Sequence, residues 1–434
     1  MSDEEGLERT LGFPEATSIG LGTMIGGAIF ILPSVAAARA GPASAVSFGL
    51  AGVISLLSAL SHAELATDMH RAGGAYQYVH RALGPIAGSV VGWGMWVGLA
   101  FATAFYAVGF GQYLTFFWGA APVTALAVGL AVLLTALNYV GGAEAGELQD
   151  VIVVALLVIL VSFVGLGAFD VGGERLTPFA SEGWTAVLTT TGTVYVGLIG
   201  FSLIAAEAGE IKRPDRNIPL SMIVSVVVPT ILYVLVMIVS TGVLPTEELA
   251  GSQIPVADVA REYAGSIGAL VMTVGAVLAT ISSANASILS AGRISFAMGD
   301  DRVLTDWLHS VHESFGTPYR AILLTGAGIV LLAVVGVGVE LLAEVASFMF
   351  LLTYALVHVA LVNLRRNVPE YDPSFRMPFP VYPAVPILGV LAILGVMVVM
   401  DPIVIAGGAA VAVGAVVWYY LYVESDVVHE TPSD

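Results

Sequence analysis

The sequence predicts an all-α integral membrane protein. Its 434 residues are 57% hydrophobic and only 11% charged, a composition that excludes an ordinary soluble protein. Apolar runs of about eighteen or more residues recur along the chain, and each is long enough to cross a bilayer. No cleavable signal peptide is predicted, because the N-terminus is acidic and the first span lacks a small-residue cleavage site. The fold class is therefore a bundle of transmembrane helices.

About twelve transmembrane helices are predicted from the apolar runs. An even number of spans places both termini on the same side of the membrane. The spans leave tails at 1–14 and 423–434, a core at 15–364 and two additional helices at 383–422. The approximate span ranges are 15–39, 43–66, 86–117, 121–140, 149–168, 185–208, 218–243, 265–297, 320–338, 341–364, 383–400 and 402–422.

The basic residues divide unequally between the two sets of loops that these spans define. Only Arg39, Arg175 and Arg261 lie on the side away from the N-terminus. Since cytoplasmic loops carry an excess of arginine and lysine, both termini are predicted to be cytoplasmic. The residues on the predicted cytoplasmic side are Arg9, Arg71, Arg81, Lys212, Arg213, Arg216, Arg293, Arg302, Arg320, Arg365, Arg366 and Arg376.

The first span contains an unusual density of glycine. Gly20, Gly22, Gly26 and Gly27 fall within eight residues, and each glycine costs a helix about 1 kcal/mol relative to alanine. A bilayer tolerates unwound backbone only where protein or a wet cavity satisfies its polar groups. We therefore predict a discontinuous helix whose second half starts near Gly26 and whose free N–H groups face an anion such as a carboxylate. The alternative is a glycine-rich face that packs against another helix.

The sixth span has a similar interruption near its middle. The segment Thr191–Ser202 contains three glycines and two threonines. The pattern of apolar runs suits two inverted five-helix repeats, at about 15–168 and 185–364, in which spans 1 and 6 are equivalent. Interruptions at equivalent positions of two repeats are the expected sign of a binding site at the membrane midplane.

The first span also carries a recognisable motif. The segment Gly22–Pro33 reads GTMIGGAIFILP and resembles the first-helix motif of the amino acid–polyamine–organocation (APC) superfamily. The chain departs from that motif at Ala28, where the family usually has a third glycine. Alanine still permits a close approach of other groups, although less freely than glycine does.

A second resemblance lies in the loop after span 2. The segment AELATDMHRAGGAYQYVHRALGP is similar to the family pattern there, with Met69 in place of the usual proline. Gly73 and Gly74 are expected to permit a sharp turn. Tyr76 and Tyr78 are expected to anchor an interfacial helix.

Two further motifs extend the resemblance to about residue 365. AAEAGEIKRPDRNIP, after span 6, resembles the family at Glu210, Lys212, Pro214, Arg216 and Pro219. The end of span 8 and the following loop resemble it at Asn285, Arg293, Met298, Asp301, Pro318 and Ala321, with Thr305 replacing a proline. Many family members have an acid after the Gly-Phe pair of span 6, where this chain has Ser202, which favours a neutral substrate.

The resemblance implies a secondary active transporter for amino acids with the inverted-repeat fold of sodium-coupled leucine transporters. It implies that Gly26, Gly27 and Ala28 bind the substrate carboxylate and that carbonyls near Thr23, Met24, Val196 and Leu198 bind its ammonium group. Ser202 and residues of spans 3, 8 and 10 are expected to line the side-chain pocket, and spans 1, 2, 6 and 7 are expected to rock against the rest. The complete predicted substrate site is Thr23, Met24, Ile25, Gly26, Gly27, Ala28, Val196, Leu198, Gly200 and Ser202.

The coupling ion stays open at this point. Span 5, from Val151 to Gly167, has no ionisable residue, whereas a common proton-coupled subgroup of the family carries a lysine there. A possible sodium site is similar to the one in sodium-coupled carriers of the same fold, because small and hydroxylated residues stand on one face of span 8. Exchange, uncoupled transport and simple helix packing are the alternatives. The candidate sodium ligands are Gly22, Ile25, Ala279, Ser282 and Ser283.

Other functions receive less support from the residues. A polyamine or cationic amino acid transporter or exchanger would need an acid in the pocket, and a transporter-like membrane sensor would need an added soluble domain. No enzyme is predicted, because no catalytic set, nucleotide-binding loop or paired metal-binding histidines are recognisable and the chain has no cysteine. No cofactor or nucleic acid partner is expected, and the predicted location is the plasma membrane. The net charge of −18 favours adaptation to high salt over a merely acidic protein.

Overall fold

The computed structural model describes residues 9–69, 73–141, 146–304, 307–308 and 310–423. Most of the two predicted tails, Arg71 and Thr305 lie outside these ranges. The described residues form helices and no strand, apart from an isolated bridge between Leu11 and Ile211. The all-α prediction is therefore confirmed for this part of the chain.

Sixteen α-helices follow one another in the described residues. Six of them are too short to cross a bilayer alone: α4, α9 and α11 have fewer than ten residues, and the half-helices α1, α2 and α8 have 12 or 13. Their bounds are α1 Phe13–Met24, α2 Ala28–Ala40, α3 Ser44–Ala66, α4 Ala75–Leu83, α5 Pro85–Leu114, α6 Val123–Tyr139, α7 Gly146–Gly167, α8 Gly183–Val194, α9 Phe201–Ala206, α10 Pro214–Val243, α11 Thr246–Gly251, α12 Pro255–Asp300, α13 Tyr319–Val335, α14 Val339–Asn367, α15 Val381–Met397 and α16 Pro402–Trp418.

Each predicted span corresponds to an apolar helix or to two half-helices. In the described chain, seven helical stretches are long and apolar enough to cross a membrane, and α6, α13 and α15 are shorter apolar helices of 17 residues each. Helix α12 is kinked at Gly265, whose φ is 62°, at the residue where span 8 was predicted to begin. The count of twelve crossings and the inverted repeat stay predictions.

The exterior of the bundle is apolar. On α7, the side chains of Val151, Val154, Val158 and Val161 form one stripe and are each between 57% and 65% exposed. A soluble protein rarely exposes so long an apolar stripe, whereas a bilayer solvates it. Inside the bundle, α5 packs along α12 and α14, and α10 packs against α1 and α3.

The loop after α3 turns as predicted, but its tyrosines face the protein. Gly73 and Gly74 have φ of 112° and 48°, and α4 starts directly after them. Tyr76 and Tyr78 are fully buried, and the Tyr78 hydroxyl donates to the Ala205 carbonyl at 3.4 Å. The expectation that these tyrosines anchor a helix at the membrane interface is wrong, since they tie α4 to the interior. Burial, with a smaller contribution from Asp301, raises the pKa of the Tyr76 hydroxyl.

Glu64, in the same motif, fixes the predicted cytoplasmic end of the bundle. Its fully buried carboxylate accepts hydrogen bonds from Nε and Nη2 of Arg365 on α14. It also accepts from the Met377 backbone N–H at 2.9 Å. The guanidinium of Arg365 lies 3.9 Å above the ring of Tyr382. Together these contacts hold the segment before α15 against α3 and α14.

Candidate functional site

The first predicted helix break is present. Helix α1 ends at Met24 and α2 starts at Ala28, slightly later than the predicted start near Gly26. The Gly27 N–H donates to Ser283 Oγ of α12 at 3.2 Å. Within the described chain, the N–H groups of Gly26, Ala28 and Ile29 have no hydrogen-bond partner. The break thus leaves donors at the start of α2, where the helix dipole favours an anion.

The sixth predicted span is also interrupted. Helix α8 ends at Val194, a 3₁₀ turn covers Tyr195–Leu198, and α9 starts at Phe201. Hydroxyls from other helices satisfy part of the freed backbone. Ser347 Oγ accepts from the Val196 N–H at 2.8 Å, and Ser55 Oγ donates to the Leu198 carbonyl at 3.0 Å.

The two breaks lie against each other. A Cβ added at Gly200 would lie 2.7 Å from side-chain carbons of Thr23 and Met24, and one at Gly197 would lie 3.3 Å from the Cβ of Ala28. The hydroxyl of Tyr233, on α10, lies 3.3 Å from the Met24 carbonyl and 3.5 Å from the Gly197 carbonyl. Tyr233 therefore joins the two interrupted segments.

The carbonyls predicted to bind ammonium differ in their availability. Those of Met24 and Leu198 already accept hydrogen bonds from Tyr233 and Ser55. Among the described residues, the carbonyls of Thr23 and Val196 have no donor. A carbonyl has two lone pairs, so all four retain acceptor capacity, and those of Thr23 and Val196 retain the most.

Ser202 is placed at the second break but is not free. Its hydroxyl donates to the Ile199 carbonyl at 2.9 Å and lies 2.9 Å from the hydroxyl of Tyr354. Tyr354, on α14, also lies 3.1 Å from the Ile199 carbonyl. A substrate side chain near Ser202 therefore meets a serine–tyrosine pair.

The candidate sodium ligands are only partly together. Ser283 faces the first break, where its Oγ accepts from the Gly27 N–H. Ser282 instead donates to Oε1 of Gln149 on α7 at 2.8 Å. The same amide lies against Gly22, where an added Cβ would be 2.1 Å from Nε2. Ala279 is buried one turn earlier on α12. Gln149 thus stands between Gly22 and Ser282.

Sequence reasoning missed several residues that shape this site. Gln149 was not identified because only ionisable residues of span 5 were considered. Its polar side chain at the start of an apolar span could have indicated it. Tyr233, Ser347 and Tyr354 carry no local signal, because each reaches the breaks from a distant helix.

Ion pairs flank the breaks at both ends of the bundle. On the predicted outer side, Arg39 of α2 donates to Glu344 of α14 at 2.6 Å and also pairs with Glu340. On the predicted cytoplasmic side, Arg293 of α12 pairs with Glu207, just after α9. A cavity of about 350 Å³ opens beside this second pair, lined by Ala206, Glu207, Glu210, Arg293, Phe296 and Pro318. In the described chain, no group of three or more acids and histidines is arranged for a metal ion.

Comparison with known proteins decides the family. The model of the amino acid permease family matches residues 11–423. The chain belongs to this family. The resemblance to the APC superfamily is thereby confirmed, and this permease is a multi-pass membrane transporter of amino acids and not an enzyme.

Curated relatives cover nearly the whole chain. The permease is 28% identical over 413 residues to the branched-chain amino acid permease BcaP of Bacillus subtilis (strain 168), covering 89% of this chain and 88% of the relative. It is 30% identical over 407 residues to the methylthioribose transporter of the same organism, covering 89% and 87%. It is 25% identical over 405 residues to that organism's serine/threonine exchanger SteT, covering 90% of each.

Proposed function

We propose that this permease carries neutral amino acids across the plasma membrane and binds them between the two helix breaks. The observation that carries the proposal is that backbone N–H groups and backbone carbonyls without hydrogen-bond partners lie in two neighbouring helix breaks. In the part of the chain that the structure describes, the N–H groups of Gly26 and Ala28 at the start of α2 have no hydrogen-bond partner. The carbonyls of Thr23 and Val196, in the same two breaks, accept no hydrogen bond from these residues either. A carboxylate suits the first set and an ammonium group the second, so a zwitterion suits both.

A neutral side chain fits the groups beside the breaks. Within the described residues, the hydrogen bonds that side chains make to the two breaks come from serine and tyrosine hydroxyls and not from acids. The position after Phe201 is Ser202, which is paired with Tyr354. Glu207, the acid that follows α9, is engaged by Arg293. A cationic substrate would bury a charge without a partner, which is costly. The names of BcaP and SteT, which specify branched-chain amino acids, serine and threonine, agree with a neutral substrate.

The mechanism we propose is alternating access with both termini in the cytoplasm. Helices α1, α3, α9 and α10 pack on one another, and α5 packs along α12 and α14. Arg39 lies on α2, which continues the first span and also packs on α10, so the Arg39–Glu344 pair links the two groups at one end. The Glu207–Arg293 pair links them at the other end. Rocking of one group against the other would break one pair while the other remains closed.

Uptake measurements in proteoliposomes test this proposal. The purified permease is given a panel of labelled amino acids, with sodium and pH gradients imposed separately. We expect uptake of neutral amino acids, with little uptake of lysine, arginine or putrescine. Preference for the cationic compounds would contradict the neutral pocket, and no uptake of any amino acid would contradict the proposal as a whole.

Variants at the first break test the binding site itself. A Cβ at Gly26 would lie 1.8 Å from Ser283 Oγ and 2.9 Å from the Thr23 carbonyl, so Gly26→Leu should abolish uptake. Gly328→Leu is the matched control, because a Cβ there meets no atom within 4 Å. Uptake by Gly26→Leu equal to that of the control would remove Gly26 from the site.

Sodium coupling is tested with a hydroxyl deletion. If Ser283 is a sodium ligand, Ser283→Ala should weaken the response of uptake to a sodium gradient, with Ser287→Ala, one turn further along α12, as the control. A response to sodium that Ser283→Ala leaves unchanged would exclude the proposed ligand set. Uptake driven by a pH gradient alone would assign the coupling to protons.

A further inference from the structure

A groove on the outer surface of the bundle is separate from the substrate site. Helices α6 and α13 approach so closely that a Cβ added at Gly326 would lie 2.4 Å from Thr135 Oγ1. This crossing forms the floor of a groove of about 630 Å³. Its walls are apolar and open to the membrane, with Val132 54% and Leu323 48% exposed. Small residues on both walls, Ala136 and Ala327, leave the groove unfilled.

One end of the groove carries aromatic rings and a positive charge. The groove reaches Tyr139, whose ring centroid is 6.0 Å from that of Tyr319. Tyr319 and Arg320 lie one turn before Leu323, on the same face of α13. The guanidinium of Arg320 sits 5.2 Å from the ring centroid of Trp307, and its Nη1 donates to the Trp307 carbonyl at 3.2 Å. The arginine bias predicts that this end lies at the cytoplasmic leaflet.

Arg320 has no counter-charge among the residues that the structure describes. Within the described residues it forms no ion pair, although the chain has 33 acidic and only 15 basic residues. A guanidinium has five N–H donors, and the contacts of Arg320 use only Nε and Nη1. Its remaining donors suit an oxyanion such as a phosphate. Other arginines do pair with carboxylates, namely Arg39, Arg81, Arg261, Arg293 and Arg365.

We propose that the groove binds one anionic phospholipid of the cytoplasmic leaflet. An acyl chain lies along the apolar walls between α6 and α13, and the phosphate contacts Arg320 beside Trp307 and Tyr319. An amphipathic anion is the occupant that fits both features, because an apolar helix would leave Arg320 unpaired and a soluble anion would leave the groove empty. The inference is independent of the transported substrate, since none of these residues lies at the helix breaks.

Photolabelling in vesicles tests the site. The full chain is reconstituted in phosphatidylglycerol–phosphatidylcholine vesicles that contain a trace of either lipid with a diazirine in its acyl chain. After illumination, labelled peptides are quantified by mass spectrometry. We expect labelling by phosphatidylglycerol at 132–140 and 323–330 to exceed its labelling of the exposed surface of α16 by about fivefold, given the attraction of one arginine for an anionic headgroup. Labelling by phosphatidylcholine should show no such excess.

Matched variants separate the two halves of the site. Ala136→Phe combined with Ala327→Phe fills the groove and should remove the excess, whereas Ala409→Phe, on the exposed face of α16, should not. Arg320→Gln should abolish the preference for phosphatidylglycerol, and Arg320→Lys should retain most of it. Arg376→Gln removes an exposed positive charge elsewhere on the same side and is the charge control.

Three results would overturn the proposal. One is equal labelling of the groove by both lipids, which would indicate bulk lipid only. Another is an excess that survives Arg320→Gln, which would remove the phosphate contact. The third is a protein–protein crosslink through α6 and α13 with no lipid label, which would show that a second copy covers the groove. Uptake activity is measured on every variant, so that misfolded protein is recognised and replaced by the conservative Ala136→Leu and Ala327→Leu changes.

Discussion

The ion pair between Arg39 and Glu344 gives the sharpest prediction about the transport cycle. Glu344 is 1% exposed, and its carboxylate accepts from Arg39 Nη2 at 2.6 Å and from the Asp401 N–H at 3.0 Å. Arg39 also donates to Thr193 at the end of α8. These contacts connect α2, α8, α14 and the start of α16 on the predicted outer side of the second helix break. Arg39→Gln should therefore favour opening of this side.

The size of the effect follows from burial. Removing one partner of a buried ion pair typically costs about 3–5 kcal/mol, because the other charge is left without compensation. Arg39 is 20% exposed and Glu344 keeps the Asp401 N–H, so we take the lower value, about 3 kcal/mol. Opening hydrates Glu344 and relieves this cost. The ratio of the closed to the open population should then fall by up to about 100-fold, since about 1.4 kcal/mol corresponds to a factor of ten in an equilibrium constant.

Thiol accessibility measures this shift directly, because the native chain has no cysteine. Val196, at the second break, is 1% exposed and is replaced by cysteine as the reporter. A membrane-impermeant thiol reagent is added outside oriented vesicles, and the labelling rate is compared with and without Arg39→Gln. We expect an increase of about 10- to 100-fold.

The exposed partner of the same arginine provides the control. Glu340 is 51% exposed, and pairs of that kind contribute about 0–1 kcal/mol, so Glu340→Gln should raise the rate less than about fivefold. If Arg39→Gln and Glu344→Gln label no faster than Glu340→Gln, the pair does not hold the outer side closed. A rate that rises only when reagent is inside the vesicles would invert the proposed orientation.

The other predictions concern packing at the breaks and the bundle ends. Gly200→Leu should abolish uptake, because a Cβ there lies 2.7 Å from side chains of α1; Gly407→Leu, which meets nothing within 4 Å, should be active. Glu64→Gln should destabilise the fold by about 3 kcal/mol in thermal unfolding, since Arg365 is left buried without its counter-charge. Gln149→Ala should lower the free energy of unfolding by about 1 kcal/mol. The double variant Gln149→Ala with Ser282→Ala should be only slightly less stable than this single variant, because one hydrogen bond joins the two side chains.

Each of these outcomes has a contrary result. Uptake by Gly200→Leu would show that the breaks need not touch. Equal melting temperatures of the Glu64→Gln and Asp68→Asn variants would show that the buried Glu64–Arg365 pair stabilises the fold no more than the more exposed Asp68–Arg81 pair. If the losses of unfolding free energy from Gln149→Ala and Ser282→Ala are fully additive, the two side chains act independently.

The helix breaks were predicted from local glycines together with the family resemblance, since the glycines alone also suit a packing face. Glycines at 20, 22, 26 and 27 weaken a helix wherever it lies, so the interruption of span 1 could be located to within two residues of the observed start of α2. The helical class and the apolar spans follow in the same way from runs of hydrophobic residues. Local composition therefore predicted the helical elements, and it marked where an interruption was to be expected once the family resemblance was added.

The partners of the breaks were not predictable, because they depend on distant packing. Nothing in the sequence around Tyr233 indicates that its hydroxyl reaches the carbonyl of Met24, more than two hundred residues earlier. For Tyr233 a contact was missed, whereas for Tyr76 and Tyr78 a contact with the membrane interface was wrongly predicted. Their amphipathic side chains favour a membrane interface, but α4 lies against the bundle and both are buried. One sequence does not reveal which neighbour a polar side chain meets.

The chemistry of these partners suits the proposed role of the breaks, in which a site without ionised side chains holds the two opposite charges of a zwitterion. The freed backbone is satisfied by hydroxyls, among them those of Ser55, Tyr233, Ser283 and Ser347, and by no ionised group of the described chain. Hydroxyls fix the backbone without adding a charge that would itself need a partner in the membrane. The electrostatic attraction is then left to the peptide dipoles, which favour an anion at the start of α2 and a cation at the carbonyls. A ligand with only one of these charges would leave one set unsatisfied, so we expect the proposed site to select a zwitterion.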